Sequence, residues 1–283
     1  MTTVLLANGT LVGPLDAGLA ATTALLGPFG SIDMWYQRPP ASLQELIREA
    51  TRTLGSALQS SIECQAKFTS IMTSGTESIV PVPWLNVTVS TIGGSLLCPS
   101  VAASALALSM ISLATHDSCS TTAYASTVNK DAMVLALAAL FSPGVDASLI
   151  CSMVLANRAS CLDYVGKSMM FATTHLAVDT EMLTTAATDM VAANVSFVQY
   201  VTDGSHPAWV AAVPALDVAA VPFFNWIYAY DWVLGHREVI RFVGDKSTVT
   251  ILTTFNHYTS QATDANMLPT TMASYARACV MYI

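Results

Sequence analysis

Residues 222–255, PFFNWIYAYDWVLGHREVIRFVGDKSTVTILTTF, decide the fold class of this chain. The first third carries aromatic residues at helical spacing. Phe223, Trp226 and Tyr230 fall on one face, and Phe224, Tyr228 and Asp231 on another. The remainder changes period. Residues 238–243 and 248–255 are β-branched and aromatic, and Gly244-Asp245-Lys246-Ser247 between them predicts a hairpin. A helix running into a hairpin makes the class α+β. The helix is apolar nearly all round, so it is either wholly buried or set against a partner. Core packing is the first expectation. The second is a subunit interface through Phe223, Trp226 and Tyr230, because Trp and Tyr concentrate where subunits meet.

Working outward, the clearest other helix begins at Ser42, where Ser42-x-x-Glu45 has the spacing of a capping box. Leu43, Leu46, Ile47, Ala50, Leu54, Leu58 and Ile62 then mark one face, with Gly75 as the stop. Before it, Asn8-Gly9 predicts a hairpin over 3–12, followed by a Gly- and Pro-punctuated loop to Pro40. Beyond it, a strand is expected over 84–92, and helices over 101–114 and 130–141. The second of these is stopped by Ser142-Pro143-Gly144. Asp146 opens a helical stretch to about 175 with a break near Gly166, and Asp179 opens another to about 201. Ser205 and Pro207 start a segment that Pro222 divides into two short helices, and Pro269 starts a terminal helix. The expectation is a single α+β domain over 1–283, predominantly α-helical. Its helical body covers about 42–234, with short hairpins near both ends, about 3–12 and 238–255.

Charge is the compositional anomaly. The chain has 11 basic and 19 acidic residues, 11% of its length, where about 25% is usual. Hydrophobic residues make up 53%, and Ser plus Thr supply about a fifth. Such hydrophobicity excludes intrinsic disorder. A net charge of −8 and a pI near 4.9 leave little to neutralise phosphates, so nucleic acid is not an expected partner. The six cysteines (Cys64, Cys98, Cys119, Cys151, Cys161, Cys279) are scattered and expected as free thiols in a reducing compartment. Residues 1–13 show no secretory pattern. Mean hydropathy is +0.53, but the longest charge-free run, 98–115, is serine-containing and Ala-rich, so no membrane span is expected.

Chemistry-bearing motifs are missing. There is no P-loop, no G-x-G-x-x-G after a strand and no G-x-S-x-G elbow. The histidines (His116, His175, His206, His236, His257) are far apart and form no H-E-x-x-H, so no metal, cofactor or catalytic residue is assigned. His236-Arg237-Glu238 beside Asp231 is the most charged patch of the C-terminal third. General acid–base work there is conceivable, and a surface ion pair is the commoner outcome.

A free monomer of this size exposes about 11,700 Å² and carries about 70 charges. This chain has only four lysines, and it has 13 methionines. Low charge density promotes association, so much of the surface is expected to lie against copies of itself or other subunits. A Thr/Ser/Ala-rich, charge-poor, acidic and motif-free chain resembles the shell proteins of icosahedral viruses, among them the layer proteins of reovirus-like double-stranded RNA viruses. The resemblance lies in composition along the whole chain. It implies a structural subunit of an outer layer or clamp, assembled in a host cytoplasm into a virion, forming homo-oligomers such as trimers and contacting other shell proteins. Two other classes stay open: a soluble oligomeric enzyme with a dispersed active site, and a membrane protein with short Ala-rich helices.

Overall fold

The computed structural model describes residues 17–71, 73, 75–80, 90–91, 126–154, 156–203, 205–207, 209–217 and 222–253. The expected hairpin over 3–12, the helix over 101–114, most of the strand over 84–92 and the terminal helix lie outside them. In chain order the helices are α1 (Ala17–Leu26), α2 (Ala41–Ser60), α3 (Ile62–Ser70), α4 (Ala132–Leu140), α5 (Ala147–Cys151), α6 (Arg158–His175), α7 (Thr180–Ala192) and α8 (Pro222–Val233). The strands are β1 (Asp33–Gln37), β2 (Thr76–Ile79), β3 (Ser90–Thr91), β4 (Ser126–Asn129), β5 (Ser196–Thr202), β6 (Trp209–Pro214), β7 (Val239–Val243) and β8 (Thr248–Leu252).

The architecture is mixed α/β, which corrects the expectation of a helical body with hairpins only near its ends. Six strands form one sheet in the order β1-β7-β8-β5-β3, and β6 also pairs with β5. The β5–β6 ladder is antiparallel from Ser196↔Pro214 to Val201↔Trp209 and so fills one edge of β5. The other edge is shared between β8 near Ser196, in parallel, and β3 near Thr202. The segment to 201 had been expected as helix throughout. Instead α7 ends at Ala192 and Asn194 takes a left-handed φ of 50°, which turns the chain into β5. The short helix expected after Pro207 is strand β6. It is Ala-rich, but β5 and α1 hold it extended.

Helix starts follow the caps only in part. Asp179 accepts from Glu181 N at 2.8 Å and Met182 N at 3.1 Å, which supplies two of the amides a helix start leaves unpaired. Ser42 does not cap. Pro40 holds the N-cap position of α2, and Ser42 Oγ donates to Asp189 Oδ2 of α7 at 2.5 Å. The long helix from 42 breaks at Ser61, which is extended and whose side chain caps α3 by accepting from Cys64 N. The stretch after Asp146 breaks between Cys151 and Arg158 rather than near Gly166, and Asn157 caps α6 by accepting from Ser160 N. Cys151 and Cys161 form a disulfide across that break, which corrects the expectation of free thiols; Cys64 is free and buried.

Alternation along the strands gives the sheet two faces. Phe197, Val213, Val239 and Leu252 join the main core, while Val198, Ile240 and Ile251 form a smaller cluster on the other face with Val210, Phe242 and Val249 against it. The main core centres on α4 and α8, which pack together, with α6 on α4 and α2 on both α7 and α8. Every residue from Val134 to Leu140 is buried, so α4 is enclosed on all sides beyond Met133. The expected hairpin is β7–β8, and its turn closes the C-terminus of α1. Ser247 Oγ donates to Leu25 O at 2.6 Å, and Lys246 N donates to Leu26 O at 3.2 Å. A Cβ at position 244 would collide with the Leu26 carbonyl, so this turn requires Gly244.

Candidate functional site

The charged patch of the C-terminal third folds inward. Gly235 turns the chain at a φ of 75°, and the amides of His236 and Arg237 donate to Asp231 O at 2.8 and 3.2 Å. Arg237 then enters the core. Its Nε donates to Asp231 Oδ2 at 3.2 Å, Nη1 donates to Thr253 O at 2.8 Å, and Nη2 donates to Thr127 O. The guanidinium lies 5.0 Å from the centroid of the Tyr228 ring. His236 Nδ1 is 3.6 Å from Asp231 Oδ1, with its imidazole partly at the surface. Burial pushes the Asp231 carboxyl up, and Arg237 followed by His236 pulls it back. The carboxylate faces a guanidinium that cannot give up its proton, so the cluster works as a tie between α8, β4 and the end of β8.

Of two further polar sites, the first joins elements and the second orders a single loop. Lys130 Nζ meets the buried Glu77 carboxylate at 3.4 Å and lies 5.9 Å from the Tyr164 ring centroid, linking β2 to α6. Asp203 is held down to about 2, chiefly by its hydrogen bond to His206, with the amides of Ser205 and His206 adding to it. Burial pushes the hydroxyls of Tyr164 and Tyr228 far up and that of Tyr230 up to about 12, so these phenols remain protonated near neutrality. Among the described residues no three His, Cys, Asp or Glu side chains converge as metal ligands, and no helix is long and apolar enough to cross a membrane.

The expected interface residues sit inside the chain. Phe223, Trp226 and Tyr230 are all buried, and Phe141 packs on Trp226 with ring centroids 5.0 Å apart. Of the three, Trp226 alone also lines an open groove of about 520 Å³, together with Phe141, Leu183, Ala187, Val191 and Pro222. The groove's α7 wall shows how this surface handles its hydroxyls. Thr184, Thr185 and Thr188 are exposed, yet each donates to the carbonyl four residues back, at 2.7, 2.9 and 2.8 Å. Thr51, Ser56, Thr173 and Thr174 do the same on α2 and α6. These helical hydroxyls therefore give their one donor to their own backbone and leave only acceptor capacity to the surroundings.

No family model, curated protein or solved structure matches this chain.

Two features missed in the stretch before Pro40 are helix α1, Ala17–Leu26, which corrects the expected loop, and strand β1. The stretch after the hairpin over 3–12, to Pro40, reads as loop, but Asp33–Gln37 is the edge strand of the main sheet, in register with β7 from Asp33↔Val243 to Gln37↔Val239. Met34, Trp35 and Tyr36 are 54%, 62% and 64% exposed. Trp35 and Tyr36 line an open cleft of about 340 Å³ with Gln37, Arg241 and Val243. The strand is nevertheless fixed in place, because Trp232 Nε1 of α8 donates to Gln37 O at 3.2 Å. Three consecutive large apolar residues between Gly30 and Pro39-Pro40 were the available signal.

Proposed function

We propose that this chain is a structural subunit that self-assembles into a symmetric protein shell, of the kind that forms an outer layer or clamp of an icosahedral virion. One observation supports the reading: exposed helix hydroxyls donate to their own backbone, so a surface already short of charge offers few free donors to water. Such a surface gains by being covered, since removing apolar area from water is worth about 25 cal/mol per Å². The Asp231–Arg237 and Glu77–Lys130 clusters fit the same role, because both tie elements together and give a subunit fixed shape. The Cys151–Cys161 bond suits a particle that ends in an oxidising environment.

The test is sedimentation velocity of the purified full chain without detergent, in low and high salt, followed by negative-stain microscopy. Assembly through apolar surface persists or strengthens as salt rises, whereas assembly through ion pairs weakens. Discrete oligomers or closed particles at high salt support the reading. A compact monomer at every concentration removes it.

A further inference from the structure

Resting on that reading, we propose that the outer edge of β1 joins two copies of this chain, antiparallel about a two-fold axis at Trp35, making the two six-stranded sheets one. Four observations select a second copy.

First, β1 lies at the end of the sheet path and, among the described residues, has β7 as its one strand partner; Gln37 O also accepts from the Trp232 indole, and the outer edge from Asp33 to Tyr36 is where another strand would pair. Natural edges are commonly blunted by Lys, Pro or a bulge. Asp33–Gln37 contains no Lys and no Pro, and its register with β7 runs unbroken.

Second, the charges complement only in one direction. Asp33 opens the strand and Arg38 follows it. A parallel, in-register partner would stack Asp33 on Asp33. An antiparallel copy sets the acidic end of one strand beside the basic end of the other, with no net charge on the joined edge. That neutrality matters for copies that each carry −8.

Third, ladder geometry fixes the register. Directly opposed residues in an antiparallel pair must both point their backbone groups inward or both outward, so a two-fold must pass through a residue rather than between two. Centring on Trp35 opposes Trp35 with Trp35, Met34 with Tyr36, and Asp33 with Gln37, which engages all five residues. Centring on Tyr36 brings Asp33 opposite Pro39, which has no N–H to give.

Fourth, the apolar surface is continuous across that join. Met34 and Tyr36 stand opposite Phe242 and Ile240, on the face of the sheet that carries the smaller cluster. The two-fold therefore extends each small cluster into its counterpart and covers the side chains now exposed.

The test uses the full chain with Trp35→Lys, which places a charge at the two-fold, and with Trp35→Cys for cross-linking. Trp35 is exposed, so both variants should keep the wild-type far-ultraviolet dichroism; Tyr36→Lys serves as a second edge variant if one of them does not. Trp35→Lys is expected to weaken the smallest oligomer by about thirtyfold in dissociation constant. Trp35→Cys is expected to form a covalent dimer under mild oxidation, because opposed Cα atoms in such a ladder lie about 4.5–5.5 Å apart. Ile62→Cys, exposed on α3 away from the edge, should not. If wild type assembles but neither Trp35 variant alters size or cross-linking, the edge proposal falls and self-assembly stands. If wild type is monomeric throughout, both fall. Assembly that requires a different protein's strand on this edge also overturns the proposal.

Discussion

Helix α8 and strand β1 are the two aromatic-dense segments among the described residues, and they have opposite fates. PFFNWIYAYDWV is enclosed, with every residue from Phe223 to Trp232 buried except Asn225. DMWYQ is open, with Met34, Trp35 and Tyr36 all more than half exposed. Composition does not separate them. What separates them is the number of neighbours the topology supplies: α8 is met by α2, α4 and β4, while β1 has β7 on one edge only. Aromatic density therefore marks where a chain buries area, within itself or against another chain, and the layer order decides which.

The most direct way to break this comparison is Trp226→Ala. If α8 is core, the change should cost about 3–5 kcal/mol of folding stability, measured by denaturant melting. A loss of assembly with an unchanged melt would return Trp226 to the interface expected from sequence and would cancel the contrast with β1. Asp231→Asn should cost about 3 kcal/mol, because it leaves the buried Arg237 guanidinium without a counter-charge. That loss should persist in 1 M salt, since a pair this deeply buried is little screened. A small or salt-sensitive effect would mean that the end of α8 is open to water.

The same contrast explains which parts of the fold were legible. α8 and the β7–β8 hairpin show their periods openly, and Gly244 marks the turn where only glycine clears the Leu26 carbonyl. α4 was legible because Pro143-Gly144 stops it and Asn129 stands close to its start. β5 and β6 were not. β5 follows α7 with only Ala193-Asn194 to mark the change, and Asn194 in a left-handed conformation is a weaker signal than glycine. β6, Trp-Val-Ala-Ala-Val-Pro, has no alternation to read, because its conformation is imposed by pairing with β5. At Ser42 the capping-box spacing was present, but Asp189 of α7 took the hydroxyl, a partner 147 residues away that no local pattern reveals. The site was harder still. Asp231 and Arg237 looked like a surface pair, and only the turn at Gly235 shows that the arginine runs back into the core.

The smallest expected effect sharpens the comparison most. Trp35→Ala should change the folding stability of the dissociated chain by no more than about 1 kcal/mol, close to the range for exposed positions without special contacts. The strand does not depend on this side chain. Its ladder with β7 is made by backbone, and its C-terminal end is anchored by the Trp232 indole on Gln37 O. On its own face Trp35 stands opposite Arg241, itself exposed, and such a pair at the surface contributes only about 0.5–1 kcal/mol at most. Melting the mutant at a concentration below dissociation checks this directly. A loss of 2 kcal/mol or more would show that Trp35 is covered by its own chain. The exposed edge would then be no edge at all, and β1 would join α8 as core.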